Sequence, residues 1–200
     1  MANKLLIDGE NFIHGAVGIL VRQKVIKSRA SLKKIDLRIL LNGLLDYKKT
    51  RKIYYTTRIV LPQKQSTLYK KFESMRLWNK RFIPYLMNQD IELIKAGVLR
   101  VAKSKKCYSC GTVTELPQEK GVDVKLGVDI VSLAGKGNII YVFSSDSDVI
   151  PAIIEAKNRK ATVVYIAFEA GINEALRKVC SQTIIVTKKK VIKAYDEANK

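Results

Sequence analysis

The stretch Lys4-Leu5-Leu6-Ile7-Asp8-Gly9-Glu10-Asn11 decides the fold. A short apolar run that stops at an acid and a glycine predicts a buried strand over residues 4–8, with its exit loop at Asp8-Gly9. Downstream, residues 11–22 carry a helical period. A second helix is expected to open at Ser31-Leu32-Lys33-Lys34, with Ile35, Ile39, Leu40, Gly43 and Leu44 at helical spacing. Residues 53–60, rich in branched and aromatic side chains, read as a strand that Pro62 stops. Residues 66–88 read as a long basic helix, with Tyr69, Phe72, Met75 and Trp78 at three- or four-residue steps and Pro84 placed to bend its end. Residues 91–102 read as a strand or hairpin, and 104–119 as an irregular insertion. Helices over 122–134, 149–158 and 173–180 then alternate with strands over 138–143, 162–167 and 183–186. Residues 188–200 form a basic, helical C-terminal tail. This β-α-β-α order predicts an α/β fold, a mostly parallel sheet with helices on both faces. Such sheets hold their sites outside the carboxyl ends of the strands, near a topological switch point. Two hundred residues suit one domain.

The net charge of +19 points to a polyanionic partner, and its placement is sharper. Residues 22–106 hold 23 Lys and Arg against 5 Asp and Glu, whereas the remaining residues hold 14 against 13. A charge run is usually a solvated face, but an excess this localised favours nucleic acid. Lys64, Lys70, Lys71, Arg76, Lys80 and Arg81 are expected on the long helix as the track for a nucleic-acid strand. Tyr54, Tyr55, Tyr69 and Trp78 have the chemistry to stack bases, yet the helical spacing of Tyr69 with Phe72 and Met75 favours the core for most of them. No apolar run is long enough to span a membrane, and the first one is too short for a signal peptide. A cytoplasmic protein without membrane contact is the expectation. With one histidine in the chain, catalysis by several histidines is excluded, and hydrolysis must lean on carboxylates, a thiol or a metal.

Acids follow the strands. Asp8 ends the first, Asp146 and Asp148 follow the strand over 138–143, and Asp123 opens the helix before that strand. If the two strands are neighbours, these carboxylates converge on one mouth of the sheet, where they repel one another unless a cation neutralises them. Hard oxygen ligands without histidine suit Mg²⁺ or Mn²⁺. Taken singly, Asp8-Gly9 is an ordinary turn, and Asp146 with Asp148 serves as an N-cap and first-turn acid. Asp129 lies about 240° around the helix from Asp123, which assigns it salt-bridging or supporting work rather than direct ligation.

Three motifs together resemble one family. Ile7-Asp8-Gly9-Glu10-Asn11, Lys120-Gly121-Val122-Asp123-Val124 and Ser144-Ser145-Asp146-Ser147-Asp148-Val149-Ile150-Pro151 are similar to the NYN domain of LabA-like proteins, in the PIN-like superfamily. Ala175-Leu176-Arg177 resembles that family's closing helix. The resemblance implies a single Rossmann-like PIN domain over residues 1–187, with core strand order 3-2-1-4-5. It further implies Mg²⁺- or Mn²⁺-dependent cleavage of single-stranded or loosely structured RNA. By position, Asp8, Asp123, Asp146 and Asp148 take the catalytic and metal-holding places. Asn11 takes the place of the polar residue beside the first carboxylate, with Ser144 and Asp129 in support and Lys120 gripping a neighbouring phosphate. Two positions depart from the pattern: Ser145 stands for the usual glycine and Val149 for the usual aromatic residue, which touches substrate fit more than ligation.

Cys107-Tyr108-Ser109-Cys110-Gly111 has the form of half a zinc knuckle. A structural zinc needs four ligands, and Cys180 and His14 are distant in sequence, so a homodimer pooling two pairs is the route to a complete Zn²⁺ site; otherwise the pair is a reduced surface turn. His14 reads as a packing or surface residue. Two rivals remain for the whole chain. One is a regulatory protein of the same fold that binds nucleic acid without turnover. The other is a Toprim-like or haloacid-dehalogenase-like phosphoryl-transfer enzyme, which fits worse because Glu10 occupies the position where the latter places its second aspartate.

Overall fold

The computed structural model describes residues 3–103 and 106–200. Seven strands form one sheet: β1 (Asn3–Asp8), β2 (Thr50–Ile59), β3 (Ile91–Lys103), β4 (Glu115–Lys120), β5 (Ile139–Phe143), β6 (Thr162–Phe168) and β7 (Gln182–Val186). Their order is β4-β3-β2-β1-β5-β6-β7, and every pair is parallel except β3 with β4. With the hairpin strand β4 set aside, the expected 3-2-1-4-5 order holds and runs one strand further. The sheet is therefore mixed, with an antiparallel edge.

β1 is central because both its faces are covered. Leu5 and Ile7 face one hydrophobic cluster, Leu6 the other, and all three are fully buried. The first cluster is closed by α1 (Gly9–Arg22), α3 (Tyr69–Met87) and α7 (Lys188–Asn199). The second is closed by α4 (Val122–Ser132), α5 (Ile150–Asn158) and α6 (Glu174–Val179). The chain leaves β1 toward β2 on one side and returns as β5 on the other, so the carboxyl end of β1 opens on the switch point.

Several details differ from the expected layout. The second helix shrinks to a 3-10 turn, Arg29–Ser31, and one α-turn, α2 (Leu37–Leu40). Asp36 caps α2, accepting from the Arg38 and Ile39 amides. The apolar residues that suggested a longer helix are instead drawn into the core as a loop, held by Trp78 Nε1 donating to Leu32 O and by Gln89 Oε1 accepting from the Leu37 amide. Lys64 lies in the turn ahead of α3, not on it, because the helix begins at Tyr69. Pro84 sits inside α3 without ending it. Of the expected irregular insertion, Ser104 and Lys105 lie outside the described residues, and Glu115–Lys120 pairs with Val98–Lys103 as β4. Residues 188–200, expected as a basic helical tail, carry α7. Val191 and Ala194 of α7 are fully buried, and the Ala194 carbonyl accepts from the Asp36 amide at 3.1 Å. Among the described residues no helix is long and apolar enough to cross a membrane.

Candidate active site

Asp8 ends β1 and caps α1, so strand and helix together fix its carboxylate. It is 2 % exposed. It accepts from the Asn11 amide at 3.1 Å, from Asn11 Nδ2 at 2.5 Å and from Ser144 Oγ at 3.0 Å. Ser144 follows β5, buried beside β1, and its Oγ also accepts from the Asp146 amide at 3.1 Å. Asp146 in turn caps the 3-10 turn Ser147–Val149, its Oδ1 accepting from the Asp148 amide at 2.9 Å. Ser145 Oγ donates to Asn11 Oδ1 at 2.5 Å, and Asn173 Nδ2 donates to the Ser145 carbonyl at 2.9 Å. One hydrogen-bonded chain thus links the ends of β1 and β5 to the loop before α6.

Asp123 arrives from the neighbouring edge. The backbone turns from β4 into α4 at Gly121, whose φ of +108° suits glycine, and places Asp123 in the first turn of the helix. Asp8, Asn11, Asp123 and Asp146 line one cleft of about 480 Å³. Burial first, then the charges of Asp146, Asp8 and Asp148, push the Asp123 carboxyl above its ordinary value. Asp148 is exposed and contributes its field to the cleft without lining it. Asp129 faces elsewhere: it accepts from Tyr55 OH at 2.7 Å and from Lys125 Nζ at 2.5 Å, a buried bond that braces α4 against β2.

The far wall of the cleft is α3, which presents Lys71, Met75, Trp78 and Asn79. Lys70, Arg76, Lys80 and Arg81 are exposed on the helix's solvent side, as is Lys64 ahead of it. Lys120 is exposed at the end of β4 and does not line the cleft. The aromatics are structural. Tyr54, Tyr55 and Trp78 are buried, Trp78 stacks on Phe82 at 4.4 Å, and Tyr54 OH donates to the Gly9 carbonyl.

Sequence reading missed two residues. Arg29 lines the cleft, makes a two-pronged ion pair with Glu10 and lies 5.2 Å over the Trp78 ring. Glu119, also in the lining, is pushed up by burial and by Asp123, Asp8 and Glu10, against the lowering effect of the Val122 amide. The Glu119-Lys120-Gly121 spacing to Asp123 was the available signal for the second; nothing in the sequence pairs Arg29 with Glu10. A second cavity of about 550 Å³ lies between α1 and the ends of β5 and β6, lined by His14, Arg22, Phe168 and the site residues Asn11, Ser144 and Ser145.

The donor set in the first cleft is entirely carboxylate, which suits a hard divalent ion in chemistry. Among the described residues, no group of three or more His, Cys, Asp or Glu side chains is placed to hold a metal ion. Cys107 and Cys110 stand on the hairpin, away from this cleft.

No curated protein matches the chain. One similar solved structure is a protein of unknown function from Vibrio parahaemolyticus, 9 % identical, covering 92 % of each chain with a TM-score of 0.52, a likeness of fold alone. The NYN domain family matches residues 4–187, nearly the whole sheet together with all four aspartates. This chain belongs to the NYN domain family, a branch of the PIN-like nuclease superfamily.

Proposed function

We propose that this chain is a LabA-like, metal-dependent ribonuclease that hydrolyses phosphodiester bonds of single-stranded or loosely structured RNA. The observation that carries the reading is the meeting of Asp8, Asp123 and Asp146 in one cleft walled by a basic helix. Asp8 and Asp146 push the Asp123 carboxyl upward after burial does, so carboxylates gathered this way are unfavourable in water alone. Asp8, Asp123 and Asp146 would hold the ion, with Asp148 beside them to ligate it or orient water. Held by those carboxylates, Mg²⁺ or Mn²⁺ would supply an activated water and offset charge on the phosphoryl oxygens. Asn11 and Ser144 hold the Asp8 carboxylate in one orientation, so no reorganisation is needed on substrate binding. Arg29, held by Glu10 and the Trp78 face, presents its guanidinium to a backbone phosphate across the cleft. Lys71 and the exposed lysines and arginines of α3 carry the strand away from the scissile bond. Attack in line leaves a 5′-phosphate product.

Asp146→Asn tests this. The expected result is an intact fold by circular dichroism and a cut rate on labelled single-stranded RNA with Mn²⁺ lower by about a hundredfold or more, the order that one transition-state charge stabiliser contributes. Undiminished cutting removes the proposal. The second reading is a nucleic-acid-binding protein without turnover, favoured by the fact that no three described acids are placed to hold an ion. Metal-dependent cutting by the unaltered chain excludes it; RNA binding without cutting establishes it.

A further inference from the structure

We propose that the tip of the β3–β4 hairpin is half of a structural zinc site, completed by the same two cysteines of a second copy of this chain. The tip folds into a closed turn. The Cys107 amide donates to the Thr112 carbonyl at 2.9 Å, the Gly111 amide donates to the Cys107 carbonyl at 2.8 Å, and Gly111 adopts a φ of +70°. The turn sets the Cys107 side chain beside Cys110, whose thiol donates to Thr112 Oγ1 at 3.1 Å. Both thiols are exposed, so neither serves the core. Two sulfurs held side by side on a tight turn are what one half of a tetrahedral thiolate site requires.

The other half lies outside this chain. Cys180 is buried beneath α6, His14 belongs to the cavity along α1, and no group of three or more potential ligands forms among the described residues. Two tips related by a twofold axis supply four thiolates, with the ion on the axis. The surroundings suit a second copy. Tyr108, between the cysteines, is fully exposed, and Val113 and Leu116 are about half exposed, at 48 % and 51 %. Large apolar groups clustered around the thiols gain from burial in a symmetric contact. The Lys106 side chain lies over Gly111, where a Cβ would come within 3.2 Å of its Cε, so each copy brings an ammonium beside the anionic tetrathiolate. The root of the hairpin is anchored: Glu115 Oε2 accepts from Ser66 Oγ, the Thr67 amide and Thr67 Oγ1. A clamp at the tip therefore acts on a fixed stalk that leads through Gly121 to Asp123.

The test uses the full chain, reduced, stripped with chelator and titrated with Co²⁺ as a spectroscopic substitute for zinc. The expected result is a tetrahedral thiolate spectrum that saturates at one ion per two chains, a doubling of mass by light scattering over the same titration, and displacement of the colour by Zn²⁺. Cys107→Ser and Cys110→Ser each lose both the spectrum and the dimer while keeping the circular dichroism and melting of the metal-free unaltered chain. Saturation at one ion per monomer overturns the proposal. So does a weak octahedral spectrum without thiolate charge transfer, which reports ion binding at carboxylates. Absence of Co²⁺ uptake by the reduced chain, or a dimer that persists in both serine variants, overturns it as well.

Discussion

Asp123 shows how a gathering of carboxylates strains its own fold. Burial and the neighbouring Asp146, Asp8 and Asp148 raise its carboxyl above the ordinary value of 3.8. A carboxyl raised on folding holds its proton more tightly in the folded chain, so it costs nothing below its unfolded value. Stability then falls as pH climbs from 3.8 to the raised value, and the loss stays in full above it. Asp123→Asn should therefore melt at a higher temperature than the unaltered chain at neutral pH in chelator, by no more than about 1 kcal/mol because the group is solvent-screened. The difference should vanish toward pH 3, and thermal melting across pH reads it. Asp8 and Asp146 were legible in the sequence because they follow strand ends, and Asp123 because it opens a helix. Arg29 was not, since its place depends on an ion pair across nineteen residues of chain and on a ring from a distant helix.

At the next scale, the junction of β1 and α1 sets the site. Gly9 packs so closely that a Cβ there would sit 2.4 Å from the Tyr55 carbonyl and 2.5 Å from Tyr54 Cε1. Gly9→Ala must push β2 and α1 apart. The expected loss is about 1–3 kcal/mol, the range of core overpacking, seen as a lower urea midpoint. RNA cutting should fall further than stability, because Asp8 precedes the displaced residue. Strands and long helices were readable here because both faces of the sheet are buried and apolar runs mark them. The stretch from Leu32 to Leu41 misled because Leu32, Ile35, Leu37, Leu40 and Leu41 are buried in a segment with only one helical turn. Their spacing reports burial, not backbone hydrogen bonding. β4 escaped because it lies at the edge, with exposed residues and a proline that give no alternating pattern.

For the whole molecule, charge is the determinant. The positive excess falls on the half of the chain that contains α3, and the carboxylates gather on the opposite wall of the same cleft. Contacts to about four phosphates of a single strand would give a log–log salt slope near about −3. Lys70→Ala with Lys71→Ala should flatten that slope in fluorescence-anisotropy titrations with Asp146→Asn as the non-cutting background. An unchanged slope would move the RNA track off α3. That the sheet is mostly parallel was legible from alternation and its core order from the family resemblance, whereas the pairing of β3 with β4 needed three dimensions.

Pro117 lies within β4, the strand that ends the sheet on that side. Proline has no amide hydrogen, so a foreign strand laid along this border meets a missing rung, and charged Glu119 and Lys120 stand beside it. Runaway stacking of copies, edge upon edge, is thereby discouraged.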